Sequence, residues 1–318
     1  MLFSLAGERE RGTWRQVLST GVSVRHVACG KAAGVALPLL VVLVPAAALG
    51  SAALLLTTPQ TTAHIAARLA LMTAAYVAFF GVYVGTVLIA SSLAATARQA
   101  LLVLLTFWFV TTLMLPFVAL AIGRAWHPSP TSFQFAAEIL NAKQAVHYPT
   151  AREIEAELLT TYRVKTVAEL PVDPTGIHLL RQMAIDDRIY NAALGRLHDS
   201  YRLQEAVLNS ASIMSPLLAV QALSMGLSGT DLETHLHFSE YTAGYRHLME
   251  TVLNNDAAYN LTPGPRDREL WEQIPPLAYQ GRPFVAVLRG IGRPALCLSV
   301  WVVLVALGCV RLLPSVGP

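Results

Sequence analysis

Four stretches rich in Leu, Val, Ala and Phe contain no Asp, Glu, Lys or Arg: between Lys31 and Arg68, between Arg68 and Arg98, between Arg98 and Arg124, and between Arg293 and Arg311. A helix crossing the hydrocarbon core of a bilayer needs about 20 apolar residues, roughly 17 to 25, because each residue advances it about 1.5 Å. The runs predict spans near 33–56, 70–96, 99–122 and 294–313. Ala97, Arg98 and Gln99 leave so short a turn between the second and third that these two form a helical hairpin.

Composition supports a membrane chain of two materials. Charged residues make up 14% of the 318 and mean hydropathy is +0.49, against about 25% charged in soluble proteins. Residues 124–293 nevertheless hold 15 of the 23 Lys and Arg and 18 of the 20 Asp and Glu. Hydrophobicity excludes a disordered chain, three cysteines exclude a disulfide scaffold, and a net charge of +3 argues against a nucleic-acid binder. Cys29, Cys297 and Cys309 read as small hydrophobes. Arg9, Arg11, Arg15, Arg25 and Lys31 precede the first span, Arg98 lies in the hairpin turn and Arg311 follows the last span. By the positive-inside bias both termini and Arg98 face the cytoplasm, and residues 124–293 lie outside. Met1–Leu5 runs into Glu8-Arg9-Glu10-Arg11 rather than an apolar core and cleavage site, so it is not a signal peptide.

Residues 1–31 form a segment of their own. Trp14, Val17 and Leu18 stand at helical spacing with Arg11, Arg15 and Gln16 on other faces, which predicts a short amphipathic helix ending near Gly21. A second amphipathic turn, Val22 to Val27, leads to Gly30-Lys31. Two readings fit: an interfacial anchor with Trp and Arg at the headgroups, or a docking helix for a cytoplasmic partner, since Glu8 and Glu10 are poorly placed against anionic lipid.

The 124–293 region reads as helices. Thr150 and Glu153 make a capping box for a helix to Tyr162. A loop with Pro171, Asp173 and Pro174 precedes a long amphipathic pattern from Ile177 through Leu208, one helix or two abutting. Ser215-Pro216 supplies an N-cap and first-turn proline for Leu217 to Leu227. Gly229 stops that helix, and Thr230 with Glu233 predicts a further capping box before Phe238, Tyr241, Tyr245 and Val252. The proline-rich stretch from Pro263 to Pro283 predicts an extended return to the membrane. The fold class is therefore all-α: four transmembrane helices with a helical extracytoplasmic domain inserted between the third and fourth. The domains are 1–31, 32–123, 124–293 and 294–318.

Catalytic and metal sites find no support. Asp231 and His235 share a helix face, but His237 projects about 200° round the helix from His235, so a solvated face is the better reading. The serines sit in no nucleophile elbow. Cys29-Gly30-Lys31-Ala32 lacks the leading glycine and the following hydroxyl of a phosphate loop. No Asp, Glu, Lys or Arg in the spans marks an ion path.

Glu8-Arg9-Glu10, Gly12-Thr13, Arg15-Gln16-x-Leu18-Ser19 and Gly30-Lys31-x-x-Gly34 together resemble the cytoplasmic coupling segment of ABC transporter permeases of the type 2 export class. Pro149-Thr150, Glu169-Leu170-Pro171-Val172-Asp173-Pro174, Gln204-Glu205, Ser215-Pro216-Leu217-Leu218-Ala219, Leu223-Ser224-Met225, Gly229-Thr230-Asp231 and Tyr245-Arg246 resemble the branch with a large helical extracytoplasmic insert before the last span. The resemblance implies a permease subunit of an export system in the bacterial inner membrane. It implies a separate ABC ATP-binding subunit that holds ATP and Mg, with no cofactor on this chain, and a second permease chain, identical or paired. It implies coupling to the ATPase through Glu8, Arg9, Glu10, Gly12, Thr13, Arg15 and Leu18. Permeases of that branch carry two further spans ahead of the motif, so the resemblance also implies either a C-terminal portion or a shortened permease completed by another subunit. The alternative is a membrane-anchored helical binding or assembly module without transport activity.

Overall fold

The computed structural model describes residues 5–57, 63–261 and 268–312. In chain order the helices are α1 (Leu5–Glu10), α2 (Thr13–Ser19), α3 (Val24–Thr57), α4 (Ala63–Leu93), α5 (Ala97–Phe109), a π turn (Val110–Met114), α6 (Leu115–Trp126), α7 (Ser132–Ala145) and α8 (Ala151–Tyr162). A 3-10 turn (Val167–Glu169), α9 (Pro174–Ala211), α10 (Pro216–Ser228), α11 (Leu232–Tyr259), α12 (Arg268–Glu272) and α13 (Phe284–Leu312) follow. No strand occurs among the described residues. Four helical stretches, His26–Leu54, His64–Leu93, Ala97–Trp126 and Phe284–Leu312, are long and apolar enough to cross a membrane. The chain is an all-α, multi-pass membrane protein, with its helical insert between the third and fourth spanning helices.

Local chemistry moves several expected boundaries. The separate turn at Val22–Val27 does not form: Gly21 at φ 82° closes α2 and α3 begins at Val24, running unbroken through Lys31. The hairpin turn lies at Ala94–Thr96, ahead of its expected place. There Thr96 accepts the Gln99 N–H at 3.2 Å and the Gln99 side-chain oxygen accepts the Ala95 N–H at 3.2 Å, so Arg98 falls inside α5. The last spanning helix starts at Phe284, where the Pro283 carbonyl accepts the N–H groups of Ala286 and Val287, and it carries Pro294 within it.

The chain divides into two compact units. One contains the chain up to Trp126, Gln204–Asp231 and the chain from Arg282 on; the other contains His127–Leu203 and Leu232–Gly281. Composition drew one boundary at 124 and another at 293, whereas the contacts group α10 with the spanning helices. Thirteen residues make α10 about 20 Å long, too short to cross. Its Ala219, Leu223 and Leu227 pack against Met72, Ala75, Ala78 and Phe79 of α4 and Ile291, Ala295, Cys297 and Leu298 of α13. Gly226 makes that approach possible, since a Cβ there would stand 2.4 Å from Ile291 Cγ2. Arg68 donates to the Leu227 carbonyl at 3.1 Å, placing a cation on the negative end of α10. Ser215 caps its start by accepting the Leu218 N–H, as the sequence predicts.

In the second unit, Ile154, Leu158, Leu170 and Val172 form a core with Leu159, Val164 and Ile177. The expected box at Thr150 and Glu153 is present, and a second joins Thr131 and Gln134. The expected box at Thr230 and Glu233 does not form: Thr230 pairs its hydroxyl with Ser228 at 2.9 Å, and Glu233 accepts from Arg202 Nε at 2.9 Å. The long helix is one element, α9. Of the proline-rich return, residues 262–267 lie outside the described set. The rest is not extended throughout, since α12 occupies Arg268–Glu272, and beyond it Tyr241 and Tyr245 donate their hydroxyls to the Ala278 and Pro275 carbonyls at 2.8 Å.

Candidate functional site: the amino-terminal segment

Glu8, Arg9 and Glu10 end α1, and each is claimed by the chain's own spanning helices. Glu8 meets Lys31 of α3 at 2.8 Å. Arg9 Nη1 donates to the Ser92 carbonyl at the end of α4 at 3.0 Å, and Glu10 Oε2 accepts the Ala97 N–H that opens α5 at 3.0 Å. A helix ends with partial negative charge and begins with partial positive charge. The adjacent cation and anion therefore each meet the complementary end of the hairpin and close over its turn. Ala6, fully buried against Ala94 and Ala100, donates its N–H to Ser91 Oγ at 3.1 Å.

Gly12 joins α1 to α2 at φ 73°, a left-handed conformation that suits glycine. The bend turns the apolar stripe of α2 inward. Trp14 is 3% exposed, packed with Ala28, Leu18, Val24, Val27, Leu88 and Cys309. Its burial within the protein corrects the anchor reading that put this indole at the headgroups. Arg11, Gly12, Thr13, Gln16 and Ser19 remain exposed. Of the residues expected to couple to a partner, Glu8, Arg9, Glu10 and Leu18 thus engage their own chain. Gly12 and Thr13 face outward, and the Arg15 side chain lies outside the described set.

Elsewhere the polar clusters are engaged in structure. Asp231 pairs with Arg282 at 2.9 Å, and His237 Nδ1 lies 3.0 Å from the Tyr279 hydroxyl. No group of three His, Cys, Asp or Glu among the described residues is arranged to hold a metal ion. An open cleft of about 500 Å³ touches Glu155, Asp173 and His178. Asp173 Oδ1 there already accepts the Thr175 N–H, and His178 contacts Gln182.

His198 is 6% exposed. Burial pushes its pKa below the usual 6.5, and Arg202 and His235 add to this while Glu240 and Asp199 oppose it. Between the ordinary and the folded value the unfolded chain binds more protons, so stability is full above about pH 6.5 and falls as pH drops through that window. The expected result is a melting temperature that declines below about pH 6.5 and declines less in His198→Gln, measured by thermal unfolding in detergent across pH. Equal slopes for both proteins would refute the assignment to His198.

A family model described as a domain of unknown function (DUF3526) matches residues 133–280. No curated protein and no solved structure matches the chain.

Proposed function

We propose that this chain is the membrane subunit of an ATP-driven export system of the ABC type, coupled through α1 and α2 to a separate ATP-binding subunit. The observation that carries the reading is the seating of the segment whose motifs resemble a coupling segment. Ion pairs and capping bonds tie it to α3, α4 and α5 at once. A push on its exposed side would therefore be delivered to three spanning helices together. Glu8, Arg9 and Glu10 act in this reading as the linkage to the spans, while Arg11, Gly12, Thr13 and Gln16 form the face offered to the ATPase. Both termini are cytoplasmic, residues 127–203 and 232–281 are extracytoplasmic, and a second permease chain completes the path in the bacterial inner membrane.

The test is affinity capture of the tagged chain from its native membrane in mild detergent, followed by mass spectrometry. A phosphate-loop ATPase is expected in the capture, and Arg11→Glu with Gln16→Ala should deplete it about tenfold, a loss of about 1.4 kcal/mol of binding, without lowering membrane insertion. Glu10→Ala removes a cap worth about 0.5–2 kcal/mol. It should retain the ATPase but lose stimulation of its hydrolysis in the complex. A stable, intact preparation with no ATPase would replace this reading with the anchored module.

A further inference from the structure

We infer that α7 lies in the lipid–water interface as a surface helix, with Phe133 and Leu140 inserted among the lipids. Phe133, Ala136, Ala137, Leu140 and Gln144 fall within an arc of about 100° on this helix. Phe133 is 83% exposed and Leu140 57% exposed. The rest of the helix is occupied: Phe135 stacks edge-on to Tyr190 at 6.2 Å between centroids, Glu138 pairs with Arg196, and Lys143, at the edge of the stripe, pairs with Asp186 at 2.9 Å. Both charges on the helix are therefore matched within the protein, and the outward stripe is uncharged.

Chain connection selects lipid as the occupant. The third spanning stretch runs from Ala97 to Trp126, and its 30 residues rise about 45 Å, the thickness of a bilayer with its headgroups. Trp126, 70% exposed, closes it where tryptophans of the interfacial belt lie. Six residues lie between Trp126 and Phe133, and Pro128 and Pro130 favour extension at about 3.1 Å per residue, so over these seven steps Phe133 starts within roughly 22 Å of the span's end. A neutral apolar stripe held that close to the bilayer fits insertion driven by apolar burial, with no call on anionic headgroups. The inference rests on the membrane-spanning helices and not on coupling to an ATPase, so the two stand or fall separately.

The experiment uses the full chain with Cys29, Cys297 and Cys309 changed to Ala, reconstituted in phosphatidylcholine vesicles. An environment-sensitive fluorophore is placed on F133C, L140C or, as a water-facing control on α8, T161C. Quenching by nitroxide-bearing lipid should be about threefold stronger at 133 and 140 than at 161, as for groups sunk about 5–10 Å into the headgroup–acyl boundary, with iodide giving the reverse order. Replacing a third of the lipid with phosphatidylglycerol should leave both patterns unchanged. Iodide access at 133 and 140 equal to that at 161 would overturn the inference. Protection from both quenchers would also overturn it, assigning the stripe to a protein partner or a second copy.

Discussion

Gly176→Ala should unfold the unit built from α8, α9 and α11 while leaving the spanning helices in place. Gly176 sits in the first turn of α9, directly against the backbone of α11. A Cβ there would stand 2.2 Å from the Ala258 nitrogen, 2.3 Å from its Cα and 2.4 Å from the Ala257 carbonyl carbon. A clash with a side chain can be relieved by a rotamer change, but these atoms are main chain. The Asp173 N–H, bonded to the Ala258 carbonyl at 2.7 Å, holds the two segments together beside the clash. Overpacking costs about 1–3 kcal/mol or more, and losing the tie adds about 1 kcal/mol. A net cost near 3 kcal/mol is a large share of the stability of a unit this size. Limited proteolysis of the full chain in detergent should cut α9 and α11 rapidly in the variant. Gly195→Ala, on the same helix with nothing within 4 Å of its Cβ, should be neutral or stabilising by about 0.5–1 kcal/mol. Equal proteolysis of both variants would refute the close-approach argument.

Which parts of this architecture were legible in the sequence follows from the kind of signal each part leaves. The four spanning helices show because a missing charge over about 20 residues is a one-dimensional signal. The caps at Thr150, Ser215 and Gly229 show because each is a local rule linking residues a few positions apart. Thr230 with Glu233 obeyed the same local rule and failed: α11 starts at Leu232, which leaves Thr230 outside the cap position, and Arg202, distant in sequence, pairs with the Glu233 carboxylate. Tertiary pairing overrode a local preference. The place of α10 had a readable trace: the chain carries no charge between Glu205 and Asp231. Its proline, serines and asparagine made the run look like an ordinary helix in a soluble domain, and only the packing on α4 and α13 reveals where it belongs. The amino-terminal segment was visible as a unit, but not the direction of its groups. Periodicity gives a stripe, and it does not say whether that stripe meets lipid or, as with Trp14, the chain's own helices.

Ser215→Ala tests the joint between α10 and the third spanning helix, and the argument begins at Pro116. Proline brings no N–H and its ring collides with the carbonyl four residues back. The helix answers with the π turn at Val110–Met114, where the Leu115 N–H reaches the Val110 carbonyl in place of the Thr111 carbonyl. In that register the next donor for Thr111 would be residue 116, which is proline. Ser215 supplies the missing donor: its hydroxyl, fully buried, donates to the Thr111 carbonyl at 2.6 Å while accepting the Leu218 N–H at 3.3 Å. One oxygen thus caps α10 and completes the interrupted ladder of its neighbour, so displacement of this span carries α10 with it. Removing the hydroxyl forfeits a cap worth about 1 kcal/mol and leaves a buried carbonyl unpaired at about 1–3 kcal/mol. A loss near 3 kcal/mol should lower the melting temperature in detergent by several degrees. Pro116→Ala restores an N–H that can reach Thr111 across the π turn, so the double variant should recover at least 1 kcal/mol of the loss, roughly the worth of one buried hydrogen bond. Additive losses in that double-mutant cycle would show that Ser215 and Pro116 act independently, and the joint would then owe its stability to apolar packing alone.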